Sequence, residues 1–360
     1  MLALTFSFII SLLIIKVIIY TSTTHALISL DHDTDSIQKM HEHPVPRIGG
    51  VAIFVSMVFV ALYGANSGAS WSSFYAGLIT SLFFVFIGGL SEDLSKAVSP
   101  WVRIGFMSCG VFYALFVAHS MPFIRHMAHE NIDMVLRFDV VTIFITWFAI
   151  VGVANAYNII DGYNGLAVTA GMLNLLGLLF LAFIFNEYQL VFVICSIILA
   201  ILGFWYFNYP RGKIFLGDCG SYSIGFLIAL LSLNLSQTHH LVMSPYAVLL
   251  LAIYPITETL FSIFRRKFIH KTRAMQPDNL HLHQLVFDRC LPRHLPLAQR
   301  NSRVMPLMLL FMLPQTGLVI FFYNSNLIML LGIVAYISYY VYMYLRLIRF
   351  KTPKILIFKN

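Results

Sequence analysis

The chain has 360 residues, of which 59% are hydrophobic and only 11% are charged, and its formal net charge is +8. Because soluble domains carry about 25% charged residues, this composition excludes a soluble globular protein, and the apolar content excludes a disordered chain. An excess of Lys and Arg in a membrane protein usually marks its cytoplasmic side, so the charge does not indicate nucleic-acid binding. The composition therefore predicts an all-α polytopic membrane protein.

A helix needs about 20 mainly apolar residues to cross a bilayer. The first such segment has neither a basic start nor a small-residue cleavage motif, so we predict a retained helix and not a cleaved signal peptide. In chain order, the sequence predicts eleven spans: Leu2–Tyr20, Ile48–Ala65, Phe74–Leu90, Trp101–Ala118, Val140–Ala156, Gly165–Phe185, Tyr188–Phe207, Tyr222–Ser236, Ser244–Phe264, Val304–Tyr323 and Asn326–Leu345.

With eleven spans, the odd-numbered loops and the C-terminus lie on one side of the membrane. Of the 23 Lys and Arg residues, twenty fall in those loops, their flanks and the C-terminal tail, whereas only Arg125 and Arg137 lie on the other side. The positive-inside rule therefore predicts an N-terminus outside and a C-terminus in the cytoplasm. We predict a single membrane domain over 1–360, with a basic cytoplasmic loop at about 265–303.

Eleven of the 15 acidic residues fall in or beside the predicted cytoplasmic loops, and each of these loops contributes at least one. Several are isolated acids within apolar segments, such as Asp161 in 155–162 and Asp218 in 215–221. Carboxylates near membrane depth are costly and tend to be functional. Carboxylates with few basic residues nearby are typical of a site for Mg²⁺, which binds them together with phosphate oxygens. Any one of these acids is also typical of a helix cap. Capping alone explains less well why all five loops on one side of the membrane contain acids.

Glycines open three of the predicted spans on the cytoplasmic side. They lie in Ile48–Gly50, Asp161–Gly165 and Gly217–Ser221, at the starts of spans two, six and eight. A helix N-terminus with free N–H groups and nearby glycine binds phosphate, although a single instance is equally typical of a tight turn. Three such segments at neighbouring helix ends predict a shared polyphosphate ligand.

The last cytoplasmic loop contains the pair His281 and His283. Histidines at this spacing can bind zinc, but no cysteine or third histidine nearby completes a closed site, and the four cysteines of the chain show no paired spacing. Contact with a pyrophosphate or a sugar fits the basic surroundings better. The stretch from Arg293 to Arg303 is equally typical of a segment that binds anionic lipid headgroups.

Five motifs occur together over nearly the whole chain. They are Asp31 with Lys39–His41 and Pro44–Gly50; Gly88–Asp93; Asn155–Ala167; Phe207–Pro210 with Lys213–Ser221; and His281–His283. In this combination the chain resembles the polyprenyl-phosphate N-acetylhexosamine-1-phosphate transferases, bacterial glycosyltransferase family 4, of the O-antigen type that uses undecaprenyl phosphate.

The resemblance implies transfer of an N-acetylhexosamine-1-phosphate from a UDP-amino sugar to undecaprenyl phosphate, with release of UMP. It places the protein in the bacterial inner membrane, with a periplasmic N-terminus and a cytoplasmic active site that primes cell-surface glycan synthesis. It implies Mg²⁺, with Mn²⁺ as an alternative, bound by Asp218, and leaves a homodimer open. It assigns catalytic roles to Glu92, Asp93, Asp161 and Asp218, and substrate contacts to Lys39, His41, Asn155, Asn158, Asn164, Phe215, His281 and His283.

The sequence departs from the family pattern at four positions. Glu92 replaces the first Asp of an Asp-Asp pair, Asn164 replaces the second Asp of a DGxDG motif, and Gln38 and Gln284 stand where Arg and His are common. Glutamate keeps the charge of aspartate but has a longer arm. The division of roles between Glu92 and Asp93 is therefore open, and we expect Asp93 to lie closer to the phosphates.

Two other functions fit parts of the sequence. Within the family, a phospho-N-acetylmuramoyl-pentapeptide transferase is the nearest alternative, but that branch is richer in consecutive histidines than His281-Leu282-His283. From another class, an ion-coupled transporter predicts acids near the membrane midplane and internal repeats. The acids here cluster at predicted cytoplasmic helix ends, and no internal repeat is visible.

Overall fold

The structure is a computed structural model that describes residues 2–24, 29–31, 44–118, 121–269, 280–353 and 356. Within these ranges the only strands are the two-residue β1 (Leu30–Asp31) and β2 (Val45–Pro46), which pair antiparallel. The helices are α1 (Leu2–Tyr20), α2 (Gly50–Asn66), α3 (Ser72–Ser95), α4 (Pro100–Phe112), α5 (Glu130–Val135), α6 (Asp139–Ile159), α7 (Leu166–Ile184), α8 (Tyr188–Asn208), α9 (Gly217–Thr238), α10 (Pro245–Leu251), α11 (Ile253–Phe264), α12 (Leu282–Cys290), α13 (Leu297–Met308), α14 (Leu313–Phe322) and α15 (Asn326–Ile348).

Every one of the eleven predicted spans coincides with helical structure. Among the described residues, nine helical stretches are long and apolar enough to cross a membrane, and the pair α10–α11 is a bent tenth candidate. The remaining segment, α2, is apolar but has only 17 residues. The molecule is thus a mostly helical multi-pass membrane protein, whereas the exact number of spans and their orientation stay predictions.

Two predicted segments differ in detail from the helices that form. The span predicted over Ser244–Phe264 is broken into α10 and α11, which meet at 75°. Pro255 explains the break, because it has no N–H for the carbonyl of Leu251, the last residue of α10. The span predicted from Tyr222 begins earlier, at Gly217, so that Asp218 lies in the first turn of α9 and not in the preceding loop.

Helix α9 is the central element, and almost all of its residues are buried. It packs most extensively against α3 and α6, and also against α7 and α2. Small residues allow this close approach, as is typical of membrane helices. At Gly89 of α3, an added Cβ would lie 2.5 Å from the Cα of Cys219 in α9. This packing brings the C-terminal ends of α3 and α6 beside the N-terminus of α9.

Candidate active site

Asp218, the second residue of α9, joins side chains from three other parts of the fold. Its Oδ1 accepts hydrogen bonds from Arg47 Nη2 at 2.8 Å and from Asn158 Nδ2 at 3.0 Å, and its Oδ2 accepts one from Arg103 Nη1 at 2.8 Å. Arg47 precedes α2, Asn158 lies in the last turn of α6, and Arg103 lies in the first turn of α4. The result is a nearly buried carboxylate between two guanidinium groups.

Asp93 holds the N-terminus of α9 in place. Its two carboxylate oxygens accept the backbone N–H groups of Asp218 at 2.8 Å and of Cys219 at 2.9 Å. A negative side chain at this position satisfies free N–H groups of the helix and complements its dipole. Gly217 has φ +76°, and a Cβ there would lie 2.6 Å from Asp93 Oδ2, so the first residue of α9 has to be glycine. Asp93 thereby fixes the position of Asp218.

Glu92 faces a different way from its neighbour, as the rotation of about 100° per residue requires. Its Oε2 accepts the backbone N–H of Val98 at 2.8 Å and so closes the turn between α3 and α4. Asp93 is fully buried and lies 3.4 Å from Arg47 Nε. Of the two acids, Asp93 is thus the one that contacts the start of α9, and which of them lies closer to the phosphates stays a prediction.

The loop between α6 and α7 carries Asp161, whose side chain forms no hydrogen bond or ion pair with the described residues. Burial raises the pKa of Asp161 to about 7; the guanidinium of Arg47 opposes this rise, and the charges of Asp218 and Asp93 add to it. Asp161 therefore lies within electrostatic reach of the Asp218 cluster. It does not cap α7, because the N-cap residue of that helix is Gly165.

Two residues that are predicted to contact substrate form hydrogen bonds outside this cluster. Asn155, one turn before Asn158, donates its Nδ2 to the carbonyl of Val151 at 2.8 Å. Asn164 is buried, and its Nδ2 donates to the carbonyl of Pro210 at 3.2 Å. Its backbone N–H donates to Asn301 Oδ1 at 2.8 Å. The structure thus shows Asn164 anchoring the Asp161 loop, and substrate contact by either residue stays a prediction.

Phe215 lies three residues before Asp218 and is fixed through its backbone. Its N–H donates to the carbonyl of Pro46 at 2.8 Å, and its carbonyl accepts the N–H of Gly49 at 3.0 Å. Its side chain is half-buried. The predicted contacts Lys39 and His41 lie outside the described residues.

Both predicted histidines are buried, and both contact α11 through Nδ1. His281 Nδ1 lies 2.9 Å from Glu258 Oε1, and His283 Nδ1 lies 3.1 Å from the Tyr254 hydroxyl. The other ring nitrogen of His283, Nε2, lies close to Gly162: a Cβ atom added to Gly162 would be 3.5 Å from it. The histidine segment therefore borders the loop that carries Asp161.

Sequence reasoning missed several residues that form the site. Arg47 lies in the motif Pro44–Gly50, which assigns it no role, and Arg103 is one of the twenty basic residues on the predicted cytoplasmic side. Ser221, whose hydroxyl accepts from Asn158 Nδ2 at 3.0 Å, was not singled out. A useful signal was present for Arg103, because it is the only charged residue in the apolar segment from Trp101 to Ala118.

The donor set near Asp218 suits a hard cation. Among the described residues, no group of three or more His, Cys, Asp or Glu side chains is arranged to hold a metal ion by itself. Mg²⁺, however, usually binds through one or two carboxylates and completes its shell with water and substrate phosphates. Asp218, which is paired with Arg47 and Arg103, and Asp161, which forms no ion pair with the described residues, are the carboxylates available for this role. They are the candidate ligands, and Mg²⁺ binding together with a phosphate stays a prediction.

Comparison with known proteins gives matches across this site. Residues 75–236, which include Asp93, Asn158, Asp161 and Asp218, match the family described as "Glycosyl transferase family 4". A Bacillus subtilis protein named "Probable undecaprenyl-phosphate N-acetylglucosaminyl 1-phosphate transferase" is 29% identical over 291 residues, which cover 79% of this chain and 77% of the relative.

Two further relatives represent the two branches of interest. An undecaprenyl-phosphate alpha-N-acetylglucosaminyl 1-phosphate transferase of Thermotoga maritima is 28% identical over 258 residues, covering 71% of this chain and 72% of the relative. A phospho-N-acetylmuramoyl-pentapeptide-transferase of Streptococcus uberis is 30% identical over 228 residues, but the match covers only 56% of this chain and 64% of the relative.

Proposed function

We propose that this protein, whose residues 75–236 match the family described as glycosyl transferase family 4, transfers an N-acetylhexosamine-1-phosphate from a UDP-sugar to undecaprenyl phosphate. The products are UMP and undecaprenyl-pyrophosphate-linked sugar. The observation that carries this proposal is the buried cluster at the start of α9, where Arg47 and Arg103 flank Asp218. Guanidinium groups bind phosphate oxygens in bidentate geometry, and a helix N-terminus favours the same anion.

The chemistry requires two anionic phosphates to approach each other. An oxygen of the acceptor phosphate attacks the β-phosphorus of the UDP-sugar, and the bond from that phosphorus to the oxygen bridging the two phosphates breaks, so that UMP leaves. Arg47 and Arg103 offset the negative charge of the phosphates. Bound Mg²⁺, for which Asp218 and Asp161 are the proposed ligands, would supply further charge neutralisation and alignment. The acceptor is largely dianionic near neutral pH, since the second pKa of a phosphate monoester is about 6, so no strong base is needed.

We place the site at the cytoplasmic face of the bacterial inner membrane, with a periplasmic N-terminus. The cluster lies where α3 and α6 end and where α4 and α9 begin, so that it sits at one end of these helices. The charge distribution of twenty basic residues against two supports a cytoplasmic location for that end. In this location a nucleotide sugar enters the site from the cytoplasm, and the lipid acceptor enters it from the bilayer.

An apolar groove of about 570 Å³ supports a long-chain lipid as the acceptor. It lies between α5, α6, α9 and the break between α10 and α11. Its lining residues include Ile132 of α5, Leu136 directly after that helix and, closer along the chain to the site residues, Val153, Ala252 and Ile256. Val153 stands five positions before Asn158 on the same helix, and Ile256 stands two positions before Glu258. The groove therefore runs along helices that reach the site.

Narrowing this groove should weaken use of the lipid acceptor. Ala149 of α6 lines the groove, and Ala149→Trp is expected to raise the KM for undecaprenyl phosphate severalfold while leaving the KM for the UDP-sugar unchanged. The matched control is Phe148→Trp at the adjacent, 58% exposed position, which should change neither constant. Equal behaviour of the two variants toward undecaprenyl phosphate would contradict a role for the groove.

A second prediction concerns the nucleotide. We propose that Phe215 stacks on uracil, and stacking of a base on an aromatic side chain is worth about 1–3 kcal/mol. Phe215→Ala should therefore raise the KM for the UDP-sugar at least about fivefold. Phe183→Ala removes a 61% exposed phenylalanine from α7 and should leave that KM unchanged. If Phe215→Ala lowers only the yield of folded protein, Phe215 serves packing instead.

The proposed activity is tested with purified protein, undecaprenyl phosphate, Mg²⁺ and a panel of UDP-sugars. We expect UMP release with UDP-N-acetylhexosamines and none with UDP-N-acetylmuramoyl-pentapeptide. Activity with the pentapeptide substrate alone would assign the chain to the alternative branch. No UMP release with any sugar would contradict the proposed function.

A further inference from the structure

The polar cluster at Asp218 includes a tyrosine. Tyr222 stands four positions after Asp218 on α9, directly after the motif Lys213–Ser221, and residues at this spacing lie on the same face of a helix. The two side chains share one partner, because Arg103 Nη1 donates to Asp218 Oδ2 at 2.8 Å and to the Tyr222 hydroxyl at 3.0 Å. This nitrogen carries two hydrogens, so each acceptor takes one of them.

The Tyr222 hydroxyl has a donor that is not used. Tyr222 is only 3% exposed, and the bond from Arg103 is the one hydrogen bond that its hydroxyl forms with the described residues. A phenol hydroxyl both accepts and donates, so its own proton has no acceptor in the described part of the chain. The carboxylates of Asp218, Glu92 and Asp93 lie within electrostatic reach, yet none of these three accepts the proton.

The presence of a hydroxyl at this buried position requires an explanation. A polar group that leaves water without a partner lowers stability, and phenylalanine fills nearly the same space without that cost. Phe226, one turn further along the same helix, is completely buried, so α9 accommodates a phenylalanine on this face. An acceptor supplied by a bound ligand removes the cost of the hydroxyl at position 222.

The groups around the hydroxyl indicate the chemistry of that acceptor. The side chains of Arg47 and Arg103, which flank Asp218, are 28% and 20% exposed, so a ligand can reach the cluster past them. Arg103 Nε is buried and has no hydrogen-bond partner among the described residues, so the guanidinium retains a further donor. Guanidinium donors together with a phenol proton favour an anion with several oxygens, such as a phosphate.

We propose that Tyr222 is a substrate-binding residue, whose hydroxyl accepts an N–H of Arg103 and donates its own proton to a phosphate oxygen of a substrate. The inference rests on the proposed function, which it deepens by adding a neutral donor to the two arginines. Since its proton is not bound to Asp218, the hydroxyl donates to the phosphate without breaking an ion pair. Either the UDP-sugar or the lipid acceptor supplies this phosphate oxygen.

The first test measures binding without transfer, in the full-length protein in detergent. Tyr222→Phe removes only the hydroxyl, and we expect it to raise the dissociation constant of UDP or of undecaprenyl phosphate about tenfold. The ligand that is affected is the one that supplies the phosphate oxygen. Uridine, which has no phosphate, should bind equally to the variant and the wild type.

The matched control is Tyr75→Phe. Tyr75 is a completely buried tyrosine near the start of α3, at the end of that helix away from Asp93, and its hydroxyl is 3.0 Å from that of Ser196. This change removes the same group outside the cluster and should alter none of the three dissociation constants.

The second test separates direct contact from an effect through Arg103. In the Arg103→Lys background, which keeps a positive charge, Tyr222→Phe should still weaken binding of the same ligand at least about threefold. With tyrosine labelled with ¹³C at Cζ, the signal of Tyr222 is identified by its loss in Tyr222→Phe. That ligand should shift this signal in the wild type, because the hydroxyl gains an acceptor.

Unchanged dissociation constants for both phosphate ligands in Tyr222→Phe would overturn the inference and leave the hydroxyl proton to a water molecule. An equal loss of uridine binding would also overturn it, since no phosphate would be involved. An effect that vanishes in the Arg103→Lys background, with no shift of the Tyr222 signal, would reduce Tyr222 to holding Arg103. If the wild type binds its ligands as expected but transfers no sugar phosphate, the proposed function fails, while the phosphate contact stands.

Discussion

Asp218→Asn is expected to lower turnover at least about a hundredfold, because it removes the charge to which Arg47 and Arg103 are bound and the proposed ligand of Mg²⁺. The variant should still fold. The side chains of Arg47 and Arg103 are 28% and 20% exposed, so water can solvate the charges that lose their partner. The measurement is the initial rate per folded molecule, with folding checked by thermal unfolding in detergent.

The matched control for this variant is Asp139→Asn. Asp139 also forms an ion pair with an arginine, Arg125 at 2.6 Å, but at an exposed position near the other end of α6. Exposed ion pairs contribute about 0–1 kcal/mol, so this change should leave both turnover and folding nearly unaffected. Near-normal turnover of Asp218→Asn at ordinary Mg²⁺ concentration would remove Asp218 from the centre of the mechanism.

Asp93→Asn is expected to have the second largest effect. An amide offers one oxygen, so one of the two N–H groups that Asp93 accepts from α9 would lose its acceptor. An unsatisfied buried donor costs about 1–3 kcal/mol, and the start of α9 would shift together with Asp218. We expect turnover per folded molecule to fall at least about tenfold, with a lower midpoint of thermal unfolding.

Variants of Glu92 provide the comparison. Glu92→Gln keeps an oxygen that can accept the N–H of Val98, so it should lose less activity than Asp93→Asn. Glu92→Asp should keep a substantial fraction of activity. If Glu92→Gln proves more damaging than Asp93→Asn, the ranking is wrong. If both changes lower only stability, with kcat per folded molecule preserved, both acids serve the fold alone.

The helices could be predicted because continuous apolar stretches of sufficient length have few other structures available in a bilayer. The three helix starts that contain glycine could also be predicted from the sequence. Gly49 is the N-cap residue of α2, Gly165 is the N-cap residue of α7, and Gly217 is the first residue of α9. The bend between α10 and α11 was harder to predict, because the residues around Pro255 are apolar and resemble one continuous membrane span.

The contacts of the site could not be derived from spacing. Arg47 and Asp218 are separated by 171 positions, and Arg103 and Asp218 by 115. Such pairs depend on how α2, α4 and α9 pack, which no local pattern specifies. For the same reason the sequence did not show that Asp93 caps α9, or that Glu258 of α11 meets His281.

The central claim is that a sugar-1-phosphate, and not the sugar alone, moves to the lipid. The most direct measurement uses UDP-N-acetylglucosamine labelled in the β-phosphate, incubated with the purified protein, Mg²⁺ and undecaprenyl phosphate. We expect the label to enter the lipid fraction in step with the release of unlabelled UMP to the aqueous phase. Label that stays in the aqueous phase as UDP while sugar enters the lipid would contradict it, and so would the absence of any labelled lipid.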